Sequence, residues 1–384
     1  MPIPRAGLRT LLSRLGLLLG GLVFGLVASE VVARVISPPG GAHLTFNAPA
    51  GEPDNMVKPA GELRTALRPG FQGTLRLPGT SVELLVNQLG LRGEEIPPRG
   101  EKYRWLAIGD SFTFAAQVSE AESFVALLSD RAGVEVFNGG VDGDSTWQSS
   151  RRYLRVERDL QPDGVVLVYF LGNDPQDNER FPPQPPVANP RPAPPSARAA
   201  ELKPRLHPLE SFLFEHSFLF AHWRVWSRTR SLATRGAQDL QRWRGELEIF
   251  TRHGRGRREA LMPKTRAAFE ELAGFTSARG DQLLVALAPP VFVVDQARMA
   301  PTLELVGLDP ATADPDGLGK AVIGELDRLG IASCDLTPAL RASEAAGEAP
   351  YLHFDGHWSA EGHRAVAGAL AGCLPARPSS SAPM

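Results

Sequence analysis

Five short apolar runs recur along the chain between residues 105 and 336. They are the runs at 105–108, 134–138, 165–171, 282–294 and 331–336. The third run is almost continuously apolar, which is typical of a strand that is buried on both faces of a parallel sheet. Stretches with helical spacing lie between the runs, including 264–279 and 317–329. This alternation predicts an α/β domain of three layers, with a parallel sheet, right-handed crossovers and helices on both faces.

A serine follows the first of these runs. The string WLAIGDSFTF at 105–114 places Ser111 just past the carboxyl end of a strand, where open α/β sheets bind their ligands. Ser119 and Glu122 form a capping box, which predicts that a helix begins there. The sequence therefore presents Ser111 in a sharp turn between a strand and a helix.

A late string supplies an acid and a base for such a serine. HFDGHWSAEGH at 353–363 contains Asp355 and His357, which precede a helix that Ser359 is expected to cap. Acyl transfer by a serine nucleophile needs a histidine that removes the proton and an acid that orients the histidine. Asp355 and His357 are therefore the candidates for these two roles.

The second and third apolar runs end in groups that are able to bind an oxyanion. The second run ends at Asn138, which two glycines follow, and the third ends in Gly172-Asn173-Asp174. An oxyanion needs positioned donors, either backbone N–H groups that no side chain shields or a side-chain amide. Gly140 and Asn173 offer one donor of each kind.

Together these four strings resemble the SGNH/GDSL hydrolase family, over about 105–175 and 264–372. The resemblance implies a flavodoxin-like, doubly wound parallel sheet and serine-dependent ester hydrolysis or acyl transfer. It implies that Ser111 is the nucleophile, His357 the general base and Asp355 the residue that orients the base. It also implies an oxyanion hole made of the Ser111 N–H, the Gly140 N–H and the Asn173 amide. It implies neither a metal nor an organic cofactor.

The chain departs from the family pattern at three places. The first string reads GDSF instead of GDSL, and Leu171 stands where the family usually has a glycine. One residue instead of two separates Asp355 from His357. The resulting Asp-x-His-Trp string resembles the polysaccharide O-acetyltransferases typified by alginate acetylation proteins, in which the pair precedes the serine. NQLGLRG at 87–93 resembles an NxxGxR string of membrane-anchored bacterial members, and its expected role is packing near the site.

The amino terminus has the pattern of a membrane anchor. The stretch 15–29 has no charged residue, and Arg5, Arg9 and Arg14 precede it. Extended to residue 36, it would form about 33 Å of helix, which is enough to span a bilayer. Basic residues before the span predict a cytoplasmic amino terminus and an extracytoplasmic domain, periplasmic or on the outer face. A cleaved signal peptide and a buried soluble helix are the alternatives.

The predicted organisation has four parts. They are a transmembrane anchor at 1–36, a tether with a small strand-rich lead-in at 37–98, an SGNH hydrolase-type domain at 99–374 and a disordered tail at 375–384. A proline-rich, helical insertion at 178–262 interrupts the third part, and its prolines at 182–195 predict extended polyproline. Basic residues outnumber acidic ones later in the insertion. It is either a cap that favours an anionic polymer or lipid headgroups, or a solvated helical insert.

The composition of the chain excludes few classes of partner or ligand. A formal net charge of −2 indicates no general electrostatic partner, and nucleic acid is not expected for an extracytoplasmic domain. The histidines outside the late string show no metal-ligand spacing. Cys334 and Cys373 do not form a disulfide framework, and a single bridge between them is left open. Buried free thiols are the favoured expectation.

The predicted function is that of a serine-dependent ester hydrolase of the cell envelope, which removes acetyl or short acyl groups from a glycan or lipid. The first alternative is an O-acyltransferase that uses an acyl donor delivered in the membrane. The second is a non-catalytic glycan-binding accessory protein, against which the intact Ser/Asp/His set argues. The hydrolase and the transferase use the same residues, so the sequence does not separate them.

Overall fold

A computed structural model of the chain describes residues 5–36, 45–47, 56–60, 63, 65–77, 80–181, 213, 217, 219–220, 223, 237–352 and 356–375. The strands are β1 (Thr45–Asn47), β2 (Val57–Pro59), β3 (Thr65–Leu67), β4 (Gln72–Leu77), β5 (Thr80–Leu85), β6 (Arg104–Gly109), β7 (Glu135–Asn138), β8 (Gly164–Phe170), β9 (Gln282–Ala288) and β10 (Ala332–Asp335).

The α-helices are α1 (Arg5–Ile36), α2 (Ser111–Phe114), α3 (Phe124–Ala132), α4 (Thr146–Leu160), α5 (Asp174–Arg180), α6 (Ala237–Glu248), α7 (Arg255–Arg279), α8 (Val291–Val294), α9 (Met299–Leu305), α10 (Gly317–Leu329), α11 (Thr337–Ala345) and α12 (Ala360–Cys373). Short 3₁₀ turns lie at Glu120–Glu122, Gln296–Arg298 and Pro310–Thr312.

Five parallel strands form the central sheet, in the order β10-β9-β8-β6-β7. Leu106 lies opposite Phe137 on one side and Val165 on the other, and Val166 lies opposite Leu284. Numbered along the chain within this sheet, the order is 2-1-3-4-5, which is the flavodoxin-like doubly wound order. The predicted parallel α/β sheet is confirmed. Its strand order reverses beside β6, so the carboxyl end of β6 lies at the switch point.

Two apolar clusters cover the two faces of this sheet and make the three layers. Successive residues of a strand point to opposite faces, so Trp105 and Leu106 belong to different clusters. On the face of Leu106, Phe269 of α7 packs against the sheet. On the face of Trp105, Leu128 of α3 and Leu370 of α12 do the same. All five side chains are no more than 1% exposed, so the core lies on both sides of the sheet.

The lead-in contains short strands. β1, β4 and β5 form an antiparallel sheet, and β2 pairs with β3. Its small core includes Leu75 and Leu84, together with Phe114 at the end of α2 and Val141 after β7. The lead-in therefore packs directly against the two loops that follow β6 and β7.

Some element boundaries differ from those that the pattern predicts. Helix α7 begins at Arg255 instead of at 264 and continues through Pro263. A proline removes one helical hydrogen bond, but Arg258 fixes the first turns by donating to the Ile249 carbonyl at 3.1 Å and to Asp314 at 2.7 Å. The fourth strand of the sheet ends at Ala288 because two prolines follow it. Helix α10 has the predicted bounds.

The predicted helix caps are present, one of them with a different role. The box of Ser119 and Glu122 begins a 3₁₀ turn, and α3 starts after it with Ser123 as its cap. The Ser123 hydroxyl accepts the Ala126 N–H at 3.3 Å. At the other end of the domain, the Ser359 hydroxyl accepts the Gly362 N–H at 3.2 Å and caps α12 as expected.

The amino-terminal segment is a single helix, α1. Within the residues that the structure describes, no helix is both long and apolar enough to cross a membrane. Most of the predicted tether, the proline-rich part of the insertion at 182–195 and the tail from 376 lie outside the described residues.

The expectation of two free thiols is wrong. Cys334 and Cys373 form a disulfide, with their Cα atoms 5.9 Å apart. Cys334 lies in β10, and Cys373 is the last residue of α12, which packs against that face of the sheet. The pairing depends on where the last turn of α12 falls over β10, which spacing along the chain does not reveal.

Candidate active site

Ser111 is the first residue of α2, a helix of one turn that directly follows β6. Asp110 caps this turn, because its carboxylate accepts the Phe112 N–H at 2.9 Å. Ser111 therefore lies at the carboxyl edge of the sheet, at the switch point where such folds bind ligands. Its side chain is partly exposed, while Asp110 is buried.

The structure brings His357 to Ser111 from 246 residues away in the chain. Its Nε2 lies 2.8 Å from the Ser111 Oγ, a distance suited to proton transfer. The His357 loop is closed on itself, since the Leu352 N–H donates to the His357 carbonyl at 2.8 Å and Tyr351 bridges to Trp358. The predicted orienting residue, Asp355, lies outside the described residues, and its role stays a prediction.

Phe112 is part of the site, although no motif in the sequence predicts a role for it. Its ring stacks on Phe170 with centroids 4.0 Å apart and lies 4.8 Å from the His357 ring. It also meets the edge of the buried Trp358 at 4.9 Å. The side chain that distinguishes GDSF from GDSL therefore packs against His357 and against the end of β8. The unusual residue in the string was the only sequence signal for this contact.

In the loop after β7, the Gly140 N–H is already hydrogen-bonded within the protein. The Gly140 N–H donates to the Asn138 Oδ1 at 3.0 Å. The Asn138 amide in turn donates to the Thr113 carbonyl at 2.8 Å and so ties this loop to α2. A Cβ on Gly140 would lie 2.4 Å from the Phe114 nitrogen, so only glycine fits this approach. The predicted oxyanion role of the Gly140 N–H stays a prediction, because that N–H is directed to Asn138.

Asn173 lies half-buried at the end of β8, just before α5. Its Nδ2 donates to the Asp177 carboxylate at 2.8 Å. An amide nitrogen carries two hydrogens, so this bond leaves one of them for a substrate oxygen. The position agrees with the predicted oxyanion role of Asn173 without testing it.

Two carboxylates, Asp110 and Asp174, lie buried at the ends of β6 and β8. Burial raises the pKa of Asp110 to about 7, against the opposing effects of the Phe112 N–H and the charge of His357. Burial and then the charge of Asp110 raise the pKa of Asp174 well above its ordinary value. Asp174 accepts the Phe170 N–H at 2.8 Å. The two acids thus fix the loops after β6 and β8.

His363 has a structural role. It is 1% exposed, and its Nδ1 accepts the Phe124 N–H at 3.2 Å. Burial lowers its pKa to about 3, so the ring is neutral. In the described part of the chain, no three His, Cys, Asp or Glu side chains group as metal ligands would.

Residues 249–383 match the family described as "SGNH hydrolase-like domain, acetyltransferase AlgX". These residues therefore resemble an SGNH hydrolase-like domain of the AlgX type. The matched residues contain Asp355 and His357, whereas Ser111 precedes them in the chain. The structure connects Ser111 to the matched residues, because it places Ser111 within hydrogen-bond distance of His357.

Solved structures with some similarity include a protein described as lipolytic, of the G-D-S-L family, from Desulfitobacterium hafniense DCB-2. It is 13% identical, with a TM-score of 0.37 over 71% of this chain and 99% of that one. A catalytic mutant of Axe2, an acetylxylan esterase from Geobacillus stearothermophilus, is 14% identical, with a TM-score of 0.37 over 71% and 94%. At these values neither similarity decides the substrate. No curated protein matches this chain.

The contact between Ser111 and His357, together with the match of residues 249–383 to an SGNH hydrolase-like domain, indicates an ester-acting enzyme. The predicted enzyme class, which covers esterases and acetyltransferases, is confirmed at that level.

Proposed function

We propose that the protein is a serine-dependent hydrolase that removes acetyl or other short acyl groups from a glycan or lipid of the cell envelope. The observation that carries the proposal is the 2.8 Å contact between the Ser111 Oγ and the His357 Nε2 at the switch point of the sheet. Both side chains are partly exposed, so an ester carbonyl has access to them. Asp355 is assigned the role of orienting His357.

The proposed reaction has two stages. His357 takes the Ser111 proton as the Oγ attacks the ester carbonyl, and it returns the proton to the leaving alcohol as the intermediate collapses. The acyl group is then bound to Ser111 as an ester. Water, activated by the same imidazole, attacks that ester and releases the acid together with free Ser111.

The negative oxygen of each intermediate needs donors beside Ser111. The Ser111 N–H is at the first position of α2, where a helix provides no partner for it, and the Asn173 amide has a second hydrogen. Gly140 is the predicted third donor.

An O-acyltransferase is the second candidate, and the match of residues 249–383 to an acetyltransferase domain favours it. In this case a sugar hydroxyl instead of water takes the acyl group from Ser111. The two functions share the first stage of the reaction and differ only in the acceptor.

The test is to measure acyl release from p-nitrophenyl acetate with and without a sugar acceptor, with Ser111→Ala as the blank. Acetate as the main product in both conditions supports the hydrolase. Acetylated sugar as the main product supports the transferase. If the wild type releases no nitrophenol, acts on no other acyl ester and nevertheless binds a glycan, the accessory-protein alternative replaces both.

A further inference from the structure

The NQLGLRG string of the lead-in forms a loop that brings one arginine to the nucleophile turn. The Asn87 side-chain oxygen accepts the N–H groups of Leu89 and Leu91 at 3.0 Å, and its Nδ2 donates to the Glu94 carbonyl at 3.1 Å. In this loop the Arg92 N–H donates to the Asn138 carbonyl at 3.0 Å. The side chain of Arg92 is 1% exposed, so a charged group lies fully buried here.

The guanidinium of Arg92 bonds to three backbone carbonyls that follow Ser111. Its Nη1 donates to the Phe114 carbonyl at 2.5 Å and also to the Ala115 carbonyl, and its Nη2 donates to the Val118 carbonyl at 2.7 Å. These contacts link the lead-in to the segment that carries the nucleophile. The side chain that the sequence assigned only to packing therefore acts through hydrogen bonds.

The nucleophile turn needs external donors to keep its shape. A helix leaves its last carbonyls without partners, and α2 has only one turn, which is too short to be stable alone. Ala115, which ends it, is a non-glycine residue at φ of 56°, in the left-handed region. Arg92 and Asn138 supply the donors, so the direction of the Ser111 side chain depends on them.

The carbonyls, and not an acid, are the main partners of this arginine. The nearest carboxylate oxygen, on Glu120, lies 3.8 Å from the Arg92 Nε, and the Glu120 side chain is 44% exposed. Burial lowers the pKa of Arg92 to about 10, and the charge of Glu120 opposes that effect. Burying a charge is costly unless hydrogen bonds replace its water, and the planar guanidinium matches several carbonyls at once.

We propose that Arg92 is a positioning residue of the active site, whose guanidinium fixes the turn 111–118 so that the Ser111 Oγ faces His357. The inference rests on the proposed function, since it gives Arg92 a part in that reaction. It also explains why the lead-in packs against α2 and the loop after β7.

The test compares Arg92→Lys with Glu120→Gln in the full-length chain. Lysine retains the charge but lacks the planar fork that reaches three carbonyls. We expect kcat on p-nitrophenyl acetate to fall by about 10- to 100-fold, with KM within about twofold, as for a displaced reacting group. Labelling by a fluorophosphonate should slow in parallel. Glu120→Gln removes the neighbouring charge and leaves the carbonyl contacts, so its kcat should stay within about twofold of the wild type.

Amide hydrogen exchange provides a readout that does not depend on turnover. Residues 112–118 should exchange faster in Arg92→Lys, while the central strands keep their protection. If Arg92→Lys does not fold, Asn87→Asp replaces it, because this change loosens the loop without removing the arginine. It should show the same effects at about 3- to 10-fold.

Unchanged kcat in a folded Arg92→Lys protein, or a lower melting temperature with no change in kcat or in local exchange, would overturn the inference. Failure of the proposed function is a different result, namely a wild type that is inactive on every ester. In that case the exchange measurement still tests whether Arg92 fixes the turn.

Discussion

Phe112 connects the nucleophile turn to the base, since its ring packs against His357, Trp358 and Phe170. Phe112→Leu recreates the common GDSL string and removes the ring that supports the imidazole. We expect kcat to fall by about tenfold because the imidazole loses this support. The protein should stay folded, because replacing an aromatic side chain in the core by a smaller aliphatic one costs about 1–2 kcal/mol of stability. Steady-state kinetics on p-nitrophenyl acetate, together with thermal melting, measure both effects.

Phe124→Leu is the matched control for this change. Phe124 is also buried against Trp358, but its other ring contact is His363 instead of His357. It should lose similar stability and keep its kcat. Equal loss of kcat in the two variants would show that Phe112 acts only through general packing.

The raised pKa of Asp110 predicts that the stability of the protein depends on pH. Its pKa in the folded protein is about 7, above the unfolded value of about 3.9, so the folded state binds the proton more tightly. The acid therefore favours folding below about pH 4, and this contribution is lost as the pH rises to about 7. Burial, and then the charge of Asp110, also raises the pKa of Asp174.

Asp110→Asn retains an oxygen that accepts the Phe112 N–H and has no proton to lose. Melting temperatures measured from pH 5 to pH 8 should show the wild type losing about 5 °C relative to this variant. Curves that stay parallel over this range would contradict the assignment of a raised pKa to Asp110.

The sequence was sufficient to predict that Ser111 and His357 meet, which they do at 2.8 Å, because each stands in a short string with its own local signals. It was not sufficient for Phe112, whose partners belong to β8 and to a loop 245 residues later. Nor did it show that the Gly140 N–H is directed to Asn138. Contacts of this kind depend on how the loops meet at the sheet edge.

At the scale of elements, the disulfide joins the end of α12 to β10. It closes a loop with a sequence separation of 39, for which a bridge typically stabilises a protein by about 2–4 kcal/mol. Reduction of the disulfide should lower the melting temperature by several degrees. It should leave the activity at 25 °C unchanged, since α12 is about 21 Å long and the site lies beside its other end.

The control is the double variant Cys334→Ala with Cys373→Ala, which should melt at the lower temperature and not respond to a reductant. Equal melting temperatures of the wild type with and without the reductant would show that the thiols are unpaired. Calorimetry or dye-monitored melting distinguishes these outcomes.

Elements with complete local signals were predictable. Helix α10 lies between an aspartate and a glycine that end its pattern, and it has the predicted bounds. Helix α7 was predicted too short, because Pro263 is a local stop signal that tertiary contacts of Arg258 override. For the fourth strand, the sequence predicted a position within 282–294 but not its end at Ala288, since apolar residues continue past the two prolines into α8.

At the scale of the whole molecule, the parallel sheet and its flavodoxin-like order follow from the strand–helix alternation and the family resemblance. The position of the lead-in does not follow from them. Its packing against the loops after β6 and β7 connects elements that have no shared sequence pattern. The resemblance places residues 87–93 near the site, but only the folded chain shows the hydrogen bonds by which Arg92 reaches the nucleophile turn.

The extracytoplasmic location remains a proposal. The apolar side chains described in α1 are exposed, including Leu17 at 78% and Phe24 at 76%, and surfaces of this kind bind membranes or partner proteins. The disulfide suits an oxidising compartment. A reporter fused after residue 40 should be active outside the cytoplasm, and the protein should stay with membranes after an alkaline wash. Release with a new amino terminus near Arg34 would indicate a cleaved signal peptide.

The central claim is that Ser111, activated by His357, is the nucleophile. The most direct measurement is labelling with a fluorophosphonate, followed by mass spectrometry of the modified peptide, in the wild type, Ser111→Ala and His357→Ala. We predict a single adduct on Ser111 in the wild type, no adduct in Ser111→Ala and almost none in His357→Ala, because the hydroxyl is a poor nucleophile without its base. An adduct on another residue, or undiminished labelling and turnover in Ser111→Ala, would contradict the account.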